Sequence, residues 1–179
     1  FSKLIWLILN SGMRVGETTI LKWEPDKDDI GTGHSYSYTY LSKDMKSIHV
    51  HFKRRSRVIP VEHLQKMFKK IPRTYTIKVN DEIVRKKKKY VFENELTGNP
   101  HHTSTVSNLW KKLSVDLGWD TRWTIHSLRH GFTSYLLNHG RDIFVVSKIL
   151  GHSTLEMMDI YGHTTRDDMV DSFKSLPKK

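Results

Sequence analysis

The chain has 179 residues, 30 of them Lys or Arg and 19 Asp or Glu, for a formal net charge of +11 at pH 7. That length fits one compact domain with its own core, and that charge fits a polyanionic partner, nucleic acid ahead of an anionic membrane. The absence of cysteine excludes disulfides and thiolate metal sites, no apolar run reaches the ~18 residues of a bilayer span, and "FSKLIWLILN" at the start lacks the basic n-region of a signal peptide.

Residues 1 to 10 predict a largely buried helix. The chain begins inside it without a start methionine, so it reads as a fragment whose N-terminal part is missing. "NSGMRVGE" is a glycine-punctuated turn, and it sets Arg14 and Glu17 three apart, as neighbours on one helical face. "TTILKW" resumes helical spacing, and "EPDKDDIGTGH" is a loop by its Pro, Gly and Asp content. "YSYTYL" (36–41) and "SIHVHF" (47–52) alternate and are rich in aromatic and β-branched residues, the pattern of strands. "RVIPV" is a third strand, closed by Pro60. Together they predict a small antiparallel sheet.

"VEHLQKMFKKI" predicts a helix. "PRTYTIKVNDEIVRKKKKYVF" fits weak strands around a basic run, or a loop insertion. The run "RKKKK" (85–89) has two readings, a solvated charge run or a phosphate contact. "STVSNLWKKLSVDLGW" predicts another helix, followed by helices near 125–139, 142–150, 154–161 and 166–175. The expected fold class is therefore mainly α with a small antiparallel β-sheet (α+β), in one domain spanning 1–179.

Within the helix near 125–139, "HSLRHGF" carries the densest chemistry. Leu128, Phe132, Tyr135 and Leu136 recur on one helical face. Thr124 suits the N-cap, and His126 and Arg129 share a different face at the first turn. His126 and His130 are spaced as a metal pair, but no third ligand and no HExxH glutamate accompany them. Further on, Asp142 can cap a helix that Gly151 ends in a left-handed conformation. His152 follows at that turn. Ser153 and Glu156 then form a capping-box pattern, and Tyr161 stands nine positions after His152.

Arg14 and Glu17 in "GMRVGE", His126 and Arg129 in "HSLRH", and His152 with Tyr161 in "LGHSTLEMMDIY" together resemble the catalytic domain of the tyrosine recombinases, the phage-integrase family. The likeness runs from about residue 4 to about 165. Each motif alone recurs by chance; their order and the interval from "LGH" to the tyrosine make the signal specific.

The resemblance implies a site-specific recombinase or integrase that integrates or excises a mobile element. Tyr161 would be the nucleophile, giving a covalent 3′-phosphotyrosine link. Arg14 and Arg129 would stabilise the extra negative charge of a phosphorane-like transition state. Their permanent charge and bidentate geometry suit that task. His126 and His152 would donate hydrogen bonds or move protons, and Glu17 would orient Arg14 or a histidine. The leaving 5′-oxygen needs a proton, which the family takes from a lysine on a β-hairpin. Lys53 in "HFKRRSRVIP" fits that place, with Arg54 or Arg55 as the alternatives that point inward. Arg54, Arg55 and Arg57 are candidate DNA contacts.

No metal, ATP or other cofactor is implied. The implied partner is double-stranded DNA, bound by a homo-tetramer in which "DDMVDSFKSL" is a candidate exchanged segment. The implied localisation is cytoplasmic, bacterial or phage-encoded, with no membrane association. Two other readings stay open: a non-catalytic DNA-binding relative, and type IB topoisomerase-like strand breakage and rejoining.

Overall fold

A computed structural model describes residues 1–29, 36–52 and 55–151. The segments expected as helices at 154–161 and 166–175 lie outside the described residues, as does the candidate exchanged segment after Tyr161.

Helix α1 (Ser2–Ser11) buries Leu4, Leu7, Ile8 and Ser11, a stripe at helical spacing. Gly12 ends it at φ 65° and donates its N–H to the Ile8 carbonyl at 2.9 Å. A Cβ on Gly12 would stand 2.5 Å from a ring carbon of Phe132 and 2.7 Å from Leu150 Cδ2. Gly12→Ala therefore combines a left-handed backbone with overpacking. It is expected to lower unfolding free energy by roughly 2 kcal/mol or more in a urea titration; an unchanged midpoint would contradict this packing.

Helix α2 (Val15–Thr19) is a single turn. The helical spacing read in "TTILKW" does not persist. β-branched Thr18, Thr19 and Ile20 weaken a helix, and Leu21–Lys22 instead forms strand β1. Strands β2 (Tyr38–Leu41), β3 (Ser47–Phe52) and β4 (Arg55–Pro60) complete a four-stranded sheet in the order β1-β2-β3-β4. β2, β3 and β4 pair antiparallel as expected, whereas β1 joins β2 in parallel. Strand β4 starts two residues earlier than the alternation suggested, taking in Arg55 and Ser56.

Alternation sorts the sheet's faces. Thr39, Leu41, Ile48, Val50 and Ile59 are buried on the core side. On the other side Tyr38 stacks on His51 and Tyr40 on His49, with ring centroids 4.9 and 4.7 Å apart.

The helix expected over "VEHLQKMFKKI" splits into a 3-10 turn and a short α3 (Gln65–Lys69). The ambiguous segment that follows is a hairpin of β5 (Thr74–Val79) and β6 (Glu82–Lys87), turned by Asn80 and Asp81 at φ 49° and 67°. The basic run at its end is largely paired. Lys87 reaches Glu24 at 3.4 Å, Lys88 pairs with Glu95, and Lys89 meets Asp26 at 2.8 Å. A short β7–β8 pair (Glu93–Asn94 with Asn99–Pro100) leads to α4 (Thr103–Asp116).

Helix α5 (Ile125–Asn138) begins after Thr124, whose N–H donates to Ser127 Oγ at 3.1 Å. Helix α6 (Ile143–Leu150) is capped by Asp142 Oδ1, which accepts from the N–H groups of Phe144 and Val145 at 2.8 and 3.1 Å. Gly151 ends it at φ 68°. One core lies between α1, the sheet and α3; a second joins α1, α4 and α5; a third joins α5 and α6. All the described elements of the candidate site meet where α1, α5, α6 and β4 converge. No helix among the described residues is long and apolar enough to cross a membrane.

Candidate active site

The α1–α2 junction fixes the first arginine. Arg14 holds the N-cap position of α2 with extended backbone, φ −69° and ψ 148°. Glu17, fully buried, turns back as the third residue of the helix. Its Oε2 accepts the Arg14 N–H at 2.7 Å and its Oε1 accepts from Arg14 Nη1 at 3.1 Å. Glu17 thereby satisfies an otherwise unpaired donor at the helix start and aims the Arg14 side chain. Glu17 Oε2 also accepts from Arg57 Nη2 at 2.7 Å. Burial pushes the Glu17 carboxyl up, but the bond and charge of Arg57, with those of Arg14, more than offset it, so its pKa is lowered.

The second arginine comes from α5. Arg129 is buried, and so are Ile125 and Thr133 one turn to either side. The buried stripe of α5 is therefore 125, 129 and 133. Tyr135, on the apolar face read from spacing, is 60% exposed. The stripe is stable because its polar groups are paired. Arg129 Nη1 donates to the Gly12 carbonyl, Nη2 donates to the Leu150 carbonyl at 2.7 Å, and Thr133 Oγ1 donates to the Arg129 carbonyl at 2.8 Å.

These arginines share a target. The last carbonyls of a helix have no intrahelical partner and form the negative end of its dipole. At the end of α6, Arg57 Nε donates to the Ile149 carbonyl at 2.8 Å, and Arg14 Nη1 joins Arg129 on the Leu150 carbonyl at 3.4 Å. Arg55 Nη1 donates to the Gly151 carbonyl at 3.2 Å. Four guanidiniums from three separate parts of the chain thus converge on three consecutive carbonyls, with one carboxylate among them.

His126 lies at the first turn of α5, its ring edge-on to His130 with centroids 4.9 Å apart. Desolvation lowers its pKa first, and the positive charges of His130, Arg129 and Arg14 lower it further. Both effects favour the neutral imidazole, which donates one hydrogen bond and accepts one. A bound anion beside the arginines would reverse part of that shift. Among the described residues no group of three or more His, Cys, Asp or Glu side chains could hold a metal ion.

Of the residues singled out from sequence, the structure brings together Arg14, Glu17, Arg129, Arg55 and Arg57, with His126 on the same helix as Arg129. Lys53, Arg54, His152 and Tyr161 lie outside the described residues. The tie between Arg57 and Glu17 was not readable from motif spacing, since they are 40 positions apart. The strand alternation did contain a signal. Arg57 shares its face with Ile59, which points it toward the core.

A model described as "Phage integrase family" matches residues 2–167. Among curated proteins, the chain is 26% identical over 171 residues to tyrosine recombinase XerC of Pediococcus pentosaceus, covering 96% of this chain and 52% of that protein. It is 44% identical over 55 residues to tyrosine recombinase XerC of Halalkalibacterium halodurans, covering 31% of this chain and 18% of that protein. The chain thus spans about half the length, or less, of these curated relatives. Among solved structures, the Tn1549 transposon integrase in complex with transposon right-end DNA superposes with a TM-score of 0.67 at 16% identity, over 97% of this chain and 58% of that one. The XerH site-specific recombinase bound to its difH substrate gives a TM-score of 0.65 at 20% identity, over 99% of this chain and 46% of that one. The expected α+β recombinase fold is therefore the observed one.

Proposed function

The chain belongs to the phage integrase family, and from that premise we propose that residues 1–179 form the single catalytic domain of a site-specific DNA recombinase, which cuts and rejoins double-stranded DNA to integrate or excise a mobile element. The observation that carries this reading is the convergence of Arg14 and Arg129 on one carbonyl oxygen, with Glu17 fixing Arg14. Two permanent positive charges set side by side by the fold suit the non-bridging oxygens of a phosphodiester.

The reaction follows from that cradle. The Tyr161 hydroxyl oxygen attacks the scissile phosphorus, and the bond from phosphorus to the 5′-oxygen breaks. The tyrosine proton passes to one of the site's imidazoles, His126 or His152, as attack proceeds, and Lys53 gives a proton to the departing 5′-oxygen. Arg14 and Arg129 hold the charge that builds on the phosphoryl oxygens, with hydrogen bonds from His126 and His152. The 3′-phosphotyrosine bond preserves the energy of the phosphodiester, so the 5′-hydroxyl of another strand reverses the step without ATP. The guanidiniums take the electrostatic part that a metal ion plays in other phosphoryl transfers. In the assembled reaction the protein acts as a tetramer on DNA. Xer relatives and DNA-bound integrase structures support the reading as a recombinase that acts on DNA.

The test is a nicked duplex drawn from the DNA flanking the chain's own coding sequence, designed so that the cleaved strand's short 5′ end diffuses away. A covalent protein–DNA adduct is expected in the presence of a chelator and without ATP. Arg14→Ala is expected to slow adduct formation by about 10² or more, as for loss of one oxyanion donor. An adduct that forms only after Mg²⁺ or Zn²⁺ is added would contradict the proposal.

A further inference from the structure

We infer that Arg57 is a positioning residue, one that ties the carboxylate orienting Arg14 to the carbonyl end of α6, and not a contact to DNA phosphate. The inference rests on the proposed function and concerns how its site is held together.

Arg57 lies on β4 opposite Val50 of β3, on the core-facing side of the sheet. Its side chain is 8% exposed. The guanidinium makes two directional bonds at once: Nη2 to Glu17 at 2.7 Å, and Nε to the Ile149 carbonyl at 2.8 Å. The Gly151 backbone closes over it, so that a Cβ there would stand 2.9 Å from Arg57 Nη1 and 3.1 Å from its Cδ. Swinging the side chain out to a phosphate would strip both bonds and remove a counter-charge from a fully buried carboxylate.

The position has a mechanical consequence. Glu17 holds Arg14 through both its backbone and its side chain. The Ile149 carbonyl belongs to the helix end that runs directly into His152 in sequence. Strand β4 begins two residues after Lys53. One planar fork therefore links the three parts of the chain that carry Arg14, Lys53 and His152. Lysine keeps the charge but has one nitrogen, which cannot reproduce two bonds in fixed directions. Misplacing a reacting group by about 1 Å costs on the order of 10² in rate, so the deficit belongs in the chemical step and not in DNA affinity.

Two variants in the full-length protein, Arg57→Lys and Arg57→Gln, test this by two readouts. The first is the salt dependence of binding to a short mixed-sequence duplex. A lost phosphate contact would lower the slope of log K against log salt by about 0.9; the inference expects the parent slope in both variants. The second is single-turnover adduct formation at saturating nicked duplex. A fall of about 10- to 100-fold is expected in both variants, and Glu17→Gln added to Arg57→Gln should cost little more than either change alone. A slope reduced by about 0.9, or an undiminished rate at saturation, overturns the inference. If Arg57→Gln fails to fold, Arg57→Lys carries both readouts. A parent that forms no adduct removes the proposed function and this inference together, whereas a parent adduct matched by both variants removes the inference alone.

Discussion

Glu17→Gln is expected to destabilise the fold by about 3–5 kcal/mol, the usual cost of deleting one member of a buried ion pair. Glu17 is fully buried and sits between Arg14 and Arg57. The amide oxygen can still accept two of the three bonds that Glu17 accepts, but the negative charge and the second acceptor atom are lost. Its remaining N–H donors would point at guanidinium groups that are donors themselves. The sign of the pH dependence follows from the lowered pKa. A carboxylate with a depressed pKa in the folded state contributes stability above its ordinary value of 4.5, and that contribution is lost as pH falls through the folded value. Urea titrations of parent and variant should therefore differ most near neutral pH and converge as pH drops below that range. A variant as stable as the parent at pH 7, or a gap that widens in acid, would contradict this account of the cluster.

The described part of the candidate site, the Arg14–Glu17 pair and the ends of α6, was legible because its anchors are local. The arginine and glutamate three apart in "GMRVGE" meet within one turn, a contact that spacing can signal, with Glu17 accepting from both the backbone and the side chain of Arg14. Asp142 and Gly151 bracket α6 for equally local reasons: an oxygen acceptor at one end, a left-handed turn at the other. What escaped the sequence was set by contacts between distant segments. Leu128, Phe132 and Leu136 of the apolar face pack against the cores while Tyr135 at its edge stays exposed, and the fully buried stripe is the one with Arg129, to which Gly12 and Leu150 offer two carbonyls. Arg57 reads as a basic hairpin residue until the fold places Glu17 and Ile149 around it.

The hairpin β5–β6 was ambiguous for a different reason. Ile77 and Val79 alternate with Thr and Lys on β5, but Ile83 and Val84 stand side by side on β6, and Val79, Ile83 and Val84 are exposed at 44%, 80% and 37%, so there is no strongly buried face to sharpen the pattern. The turn chemistry was the better guide, since Asn and Asp are the residues that tolerate the positive φ angles found at 80 and 81. The basic run was ambiguous between solvent and phosphate, and its acidic partners Glu24, Asp26 and Glu95 come from outside it.

The central claim is that this arginine cluster serves a tyrosine nucleophile. Tyr161→Phe is the substitution with the largest expected effect on activity, because it keeps the ring and deletes only the attacking oxygen. A tyrosine used for packing tolerates that change, whereas a nucleophile does not. The variant is therefore expected to fold and to bind duplex DNA with the parent's affinity and salt dependence, while forming no detectable covalent adduct on the nicked duplex. The most direct measurement is peptide mapping of the adduct trapped by the parent. The account predicts that the DNA is attached to the peptide containing Tyr161, through a bond that withstands denaturation. An adduct mapped to any other residue, or one that persists in Tyr161→Phe, would contradict it.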